Sequence, residues 1–176
     1  MDGPAAAEFT RPVEVARVSR GEQHFKIAAN AEERAALARR FDLLGLDKLE
    51  ADVRLAAVAG GLVRLEADLV ADATQACVVT LAPVQARLAE SFTLLYGEGG
   101  EASEVALDGE AETIEPITGG VIDIGEAVAQ QLSLTLDPFP HAPGAALTPP
   151  EPAPEAAVES PFKALAKLRI KNNSKD

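Results

Sequence analysis

Leu49 to Asp72 reads L-E-A-D-V-R-L-A-A-V-A-G-G-L-V-R-L-E-A-D-L-V-A-D. Leu49–Val58 and Leu62–Asp72 flank Ala59-Gly60-Gly61, and paired glycines allow the positive φ angles that tight turns require, so the stretch predicts a β-hairpin. In its second half Arg64, Glu66 and Asp68 alternate with Val63, Leu65, Ala67 and Leu69, which predicts one wet face and one buried face. Cys77 to Val84 (C-V-V-T-L-A-P-V) continues the apolar chain, and beyond it Ala86, Leu88 and Phe92 share a face interrupted by Glu90. Successive antiparallel strands without intervening helices indicate an α+β domain rather than an alternating α/β one. The expected architecture is an antiparallel β-meander or partly closed barrel with two or three helices.

Toward the N-terminus, Phe9 to Val18 alternates like a half-buried strand, and Pro12, which cannot donate to a ladder, puts it at an edge. Gly21 breaks the pattern, and His24 to Ala28 offers a second short strand. Asn30 then caps a helix running through Phe41, with Glu33 at the capping-box position. Leu37, Phe41 and Leu44 are expected on its buried face. Arg34, Arg39 and Arg40 stand on the other side. They form either a phosphate patch or a solvated face, with Arg39 and Arg40 favourably near the helix C-terminus.

Toward the C-terminus, Gly97 to Gly120 holds six glycines, seven acids and no basic residue, with no sustained period, and is expected to be a mobile acidic loop. In Val121 to Gly144, Asp123 and Glu126 predict a capped helix with Ile124, Val128 and Leu132 on one face. Leu132, Leu134 and Leu136 then alternate as in a strand, and Pro138, Pro140 and Pro143 stop it. A Pro/Ala-rich linker follows, and Ser160-Pro161 opens a short basic amphipathic helix carrying Phe162, Leu165 and Leu168. The resulting layout is a disordered terminus (1–8), one domain (9–144) with its acidic loop (97–120), a linker (145–160), a helix (161–171) and a tail (172–176).

The composition narrows the class of protein. Six Phe, one Tyr and no Trp leave a core of Leu, Val, Ala and Ile. An apolar run of about 18 residues is missing, so no membrane span is expected. The acidic start lacks a hydrophobic signal core, and the single cysteine, Cys77, forbids an internal disulfide and fits a reducing cytosol. The net charge of −12 is unevenly placed. Met1–Gly60 is balanced, whereas between Arg87 and Lys163 there are fourteen Asp/Glu and no Lys or Arg. Lys163, Lys167, Arg169, Lys171 and Lys175 make the end basic. An acidic surface repels phosphate and attracts basic partners, although plain solubility accounts for it as well.

Nothing in the sequence forms a constellation for chemistry. His24 and His141 are isolated, and Cys77 lies in an apolar run without a basic neighbour, as an inert thiol would. One cysteine and two histidines cannot close a structural zinc site. The G-E-G-G at Gly97 has neither the spacing nor the Lys of a phosphate loop. No catalytic residue, cofactor or metal is expected, and the chain is expected not to be an enzyme.

With those residues in view, the chain resembles the YceD-like family of large ribosomal RNA subunit accumulation proteins, in its alphaproteobacterial branch. The resemblance rests on E-R-A-A-L-A-R-R-F (Glu33–Phe41), on Q-A-C-V-V-T-L-A-P-V (Gln75–Val84), similar to a C-x-x-C-L-x-P pattern, and on I-D-I-G-E, the leucine run and P-F-P-H-A-P within Val121–Gly144. P-F-K-A-L-A-K-L adds the tail. Thr80 stands where many members carry a second cysteine, and the later cysteines of some members are absent, so any metal site those cysteines make is not shared. The resemblance implies a part in accumulation or processing of 23S rRNA during large-subunit assembly, and no known catalytic activity.

Joined to the charge layout, this gives a cytoplasmic, non-enzymatic factor that binds a basic ribosomal protein or assembly factor. The expected partner-binding residues are Glu101, Glu104, Asp108, Glu110 and Glu112, with Lys163, Lys167, Arg169 and Lys171 touching 23S rRNA or a partner groove. The alternative is direct RNA binding through the Arg34/Arg39/Arg40 face and the basic helix.

Overall fold

Paired glycines close the central hairpin as the sequence predicts. In the computed structural model, which describes residues 8–18, 21–98, 103–107 and 110–146, Gly60 and Gly61 take φ of 81° and 75°. They join β3 (Gly45–Val58) to β4 (Leu62–Ala76) through one 3-10 turn. The pairing runs from Val58↔Leu62 to Gly45↔Thr74, with one irregularity between Leu46 and Lys48. β5 (Pro83–Gly97) pairs antiparallel with β4 along its whole length, and β2 (Gln23–Ala28) pairs antiparallel with the other side of β3. β6 (Ser103–Leu107) and β7 (Glu110–Pro116) complete a sheet ordered β2-β3-β4-β5-β7-β6, in which only β5 and β7 run parallel. β2 and β6 remain edges, so the sheet is a meander and not a barrel.

One face of that sheet is the core. Leu49, Ala51, Val53 and Leu55 of β3 and Leu65, Ala67, Leu69 and Ala71 of β4 are buried, while the alternating charged residues are not. Helix α2 (Ala31–Arg40) lays Leu37 on this face, and helix α3 (Ile124–Thr135) lays Ile124, Val128 and Leu132 there. Burying each such leucine stabilises the fold by ~1.5–3 kcal/mol. Asn30 caps α2, and the capping box with Glu33 is complete. β5 shows the predicted face, with Ala86, Leu88 and Phe92 opposite Ala73, Ala71 and Ala67. Glu90 stands among them opposite Leu69, so Leu88 and Phe92 are only half-buried at the margin of the core.

The N-terminal segment closes the other end of α3. β1 (Pro12–Glu14) pairs with β8 (Val121–Asp123), which leads directly into α3. A Cβ on Gly125 would lie 2.4 Å from the Phe9 carbonyl oxygen, so glycine is required where these backbones cross. Phe9 itself is fully buried.

Several expectations are corrected. The strand expected over Phe9–Val18 is three residues long and gives way to a helical turn, α1 (Val15–Val18), which buries Val18. Glu8, placed with the disordered terminus, is bonded to Arg40. Leu44 is 58% exposed, because α2 stops at Arg40 and Asp42 turns the chain at φ 53°. The apolar run after Cys77 is a turn before β5 begins at Pro83. The stretch expected as an acidic loop holds β6 and β7, which are joined to the sheet through backbone pairing that side-chain periodicity does not report. Leu132–Leu136 is no strand either: α3 continues to Thr135, with Leu132 buried and Leu134 exposed. The compact unit ends at Ala145. The expected linker, basic helix and tail lie outside the described residues from Leu147 onward.

Candidate functional site

A cleft of about 520 Å³ opens between α3 and the ends of β5 and β7. Its position follows from Asp123, the N-cap of α3, whose carboxylate accepts from the Gly125 and Glu126 amides at 3.0 and 3.2 Å. The same carboxylate accepts from the Arg11 amide at 2.7 Å and from the Thr10 hydroxyl, so one side chain sets both the helix start and the N-terminal segment. Leu94, Ile122 and Ala127 give the cleft an apolar floor, and its polar lining includes Glu115, Asp123, Glu126 and Gln130, with no Lys or Arg. Tyr96, opposite Glu115 in the β5–β7 register, also lines it. Burial, then the charges of Glu115 and Asp123, push its phenol up to about 12. The phenol is therefore neutral at neutral pH. Such a cleft favours cationic or neutral groups and disfavours phosphate.

Beside the cleft, Arg40 joins the helices. Its guanidinium donates to Glu126 at 2.7 and 2.9 Å and to Glu8 at 3.1 Å. The hydrogen bond from Arg40 holds Glu126 below the usual carboxylate range against the opposing effect of burial. Glu126 was expected to close a capping box by reaching back to Asp123, but its carboxylate is committed to Arg40 and Gln130 instead. Arg11 forms a second fork with Glu33 at 2.8 and 3.0 Å, and that hydrogen bond lowers the Glu33 carboxyl likewise.

These pairs decide the fate of the arginine face. Arg40 is taken by two carboxylates, and Arg34 donates to the Ala29 carbonyl at 2.7 Å. Arg39 stays exposed. Arg34 and Arg40 are thus engaged within the fold.

Cys77 is buried, as a core thiol would be, and lies between β4 and β5. It is fully covered, yet it sits in a turn rather than in the sheet: its amide donates to the Ala82 carbonyl, and the Leu81 amide donates to its own carbonyl. The Val79 amide points at its sulfur at 3.4 Å. Donation from the Ala142 backbone, then from the Thr80 side chain, lowers the thiol to about 6, while burial works the other way. No basic residue is involved, so nothing in the local sequence announces the shift. Among the described residues no group of three His, Cys, Asp or Glu is placed to hold a metal ion.

Of the expected partner-binding residues, Glu104 lies on β6 opposite Thr113, and Glu110 and Glu112 lie on β7 opposite Leu107 and Val105. Their side chains, and Glu101, Asp108, Lys163, Lys167, Arg169 and Lys171 entirely, lie outside the described residues. Nothing in the local sequence singles out Tyr96, which the parallel pairing of β5 with β7 sets opposite Glu115 at the cleft. The local sequence does not announce the pairing of Arg40 with Glu126 across 86 positions either. Among the described residues no helix is long and apolar enough to cross a membrane.

Compared with known families, residues 65–169 match the family described as large ribosomal RNA subunit accumulation protein YceD. The match covers the Cys77 turn, the cleft lining except Pro12, and α3, and leaves the Glu33–Phe41 helix outside. No curated protein and no solved structure matches the chain.

Proposed function

Because the chain belongs to the YceD family of large ribosomal RNA subunit accumulation proteins, we propose that it is a non-enzymatic assembly factor that binds a basic ribosomal protein or assembly factor. In this role it supports accumulation and processing of 23S rRNA while the large subunit forms, in the cytoplasm where that assembly takes place. The family supplies the pathway, and the charge layout supplies the mode of action. The observation that carries it is the run from Leu88 to Phe162, fourteen acids without one Lys or Arg, part of which forms the wall of the cleft beside α3. A protein that binds RNA through positive charge presents the complement of an anionic surface, and such a surface attracts it electrostatically. A tagged full-length chain tests this by pulldown at low and high salt. Enrichment of basic large-subunit proteins that is lost at high salt supports it, and no enrichment at low salt sinks it.

A further inference from the structure

The Cys77 turn and the segment after α3 are tied together by two bonds: the Val78 amide donates to the Pro140 carbonyl at 2.9 Å, and the Gln75 side chain donates to the Asp137 carbonyl at 2.8 Å. At the same end of the sheet the Leu44 amide donates to the Thr74 carbonyl at 2.8 Å. This end carries four large apolar side chains that the fold leaves in water: Leu44, Val78, Leu81 and Phe139, exposed by 58, 50, 76 and 69%. Only one other large apolar side chain among the described residues, Leu134, is exposed so far, and it borders the cleft. Single exposed leucines are ordinary, but a concentration of them at one end marks an interaction surface.

Leu81 adds an independent sign. Its φ is 60°, in the left-handed region that a γ-branched side chain enters at a cost and glycine enters freely. The chain thus holds a leucine in a strained conformation in order to present it to solvent, where it contributes nothing to the core. Strain retained at an exposed position points to a use outside the fold.

We infer that this end, formed by Leu44, Val78, Leu81 and Phe139, is the docking surface for an apolar segment flanked by Lys or Arg on a partner protein. The inference rests on the functional reading above and says where on the molecule the partner lands. Charge selects the occupant. Residues 74–82 and 134–145, which frame the patch, contain no Lys or Arg, and the cations that follow along β3 and β5, Lys48 and Arg87, are each paired with a carboxylate, Glu50 and Asp72. Asp42, Asp47 and Asp137 are exposed beside the apolar residues. A second copy would bring a like net charge of −12, and RNA or an anionic membrane would be repelled in the same way. An apolar anchor with cationic flanks satisfies both the patch and its rim.

The test places p-benzoylphenylalanine at position 139 of the full-length chain and presents the RNA-free total protein of the large ribosomal subunit as the probe. Crosslinks are expected on apolar peptides that neighbour Lys or Arg. In a tagged full-length chain without the crosslinker, read by pulldown of the same probe, Leu81→Gly relieves the left-handed strain, so its melting temperature should not fall, yet it should weaken capture about tenfold, as should Phe139→Ser. Wild-type capture that both variants match overturns the docking surface and leaves the functional reading intact. Capture of nothing by the wild-type chain, from this probe and in the low-salt pulldown alike, overturns both. Crosslinks confined to a second copy, or to residues 161–171 of the same chain, would assign the patch to another occupant and overturn the inference.

Discussion

Arg40, at the last turn of α2, donates both arms of its guanidinium to Glu126, in the first turn of α3, at 2.7 and 2.9 Å. Each partner also favours its own helix: a cation near a C-terminus and an anion near an N-terminus complement the helix dipoles. Their side chains keep 32 and 24% exposure, so the desolvation cost is moderate and the fork geometry is retained. Arg40→Ala and Glu126→Gln should each lower stability by ~1–2 kcal/mol, and a double-mutant cycle should return a coupling of about 1 kcal/mol. Urea unfolding of the four proteins measures this, and additive losses would show that the pair does not act together.

The same pair, with Arg11–Glu33, gives the fold an acid limb. Glu126 and Glu33 both titrate below the usual range because arginine hydrogen bonds hold their charged forms. A depressed carboxylate contributes stability that is complete above its unfolded pKa, near 4.3, and is lost as pH falls through its folded value. The urea midpoint should therefore hold from about pH 7 to pH 5 and decline below about pH 4. Glu126→Gln should make that decline shallower.

Tyr96 is the chain's single tyrosine, so absorbance near 295 nm reports the cleft directly. Its midpoint should lie near 12 rather than near 10, since burial and the charges of Glu115 and Asp123 oppose ionisation. The sign for stability is the reverse of the carboxylates: the contribution is complete below about pH 10 and is lost as pH rises toward 12. Glu115→Gln should bring the midpoint down.

Cys77 should alkylate with a pH midpoint near 6, set by donors rather than by a base, and slowly in absolute rate because the thiol is covered. Thr80→Val removes the hydroxyl donor and should move the midpoint upward. An unchanged midpoint would show that Thr80 does not hold the sulfur.

What the sequence disclosed follows the range of its signals. Alternation from Val63 to Leu69 and the glycines at 60 and 61 are local, and the hairpin formed as read. Asn30 with Glu33 is local too, and both arms of its box are made. Asp123 and Glu126 have the same spacing, yet a distant arginine takes Glu126, and no three-residue motif contains that information. L-S-L-T-L fits a strand as well as it fits the end of a helix with Leu132 inward and Leu134 outward. β6 and β7 are joined by backbone pairing, so their acidic sequence read as loop. The cleft escaped notice because parallel pairing of β5 with β7, across the intervening β6, brings Tyr96 to Glu115. The acidic character of the candidate surface was legible from charge placement alone; its location was not.

The central claim is that this chain supports large-subunit rRNA, and depletion tests it most directly. The ratio of 23S to 16S rRNA, read together with 23S precursors after the protein is removed, should fall while precursors accumulate, and full-length protein supplied again should restore it. A 23S level and precursor profile unchanged by depletion would contradict the account.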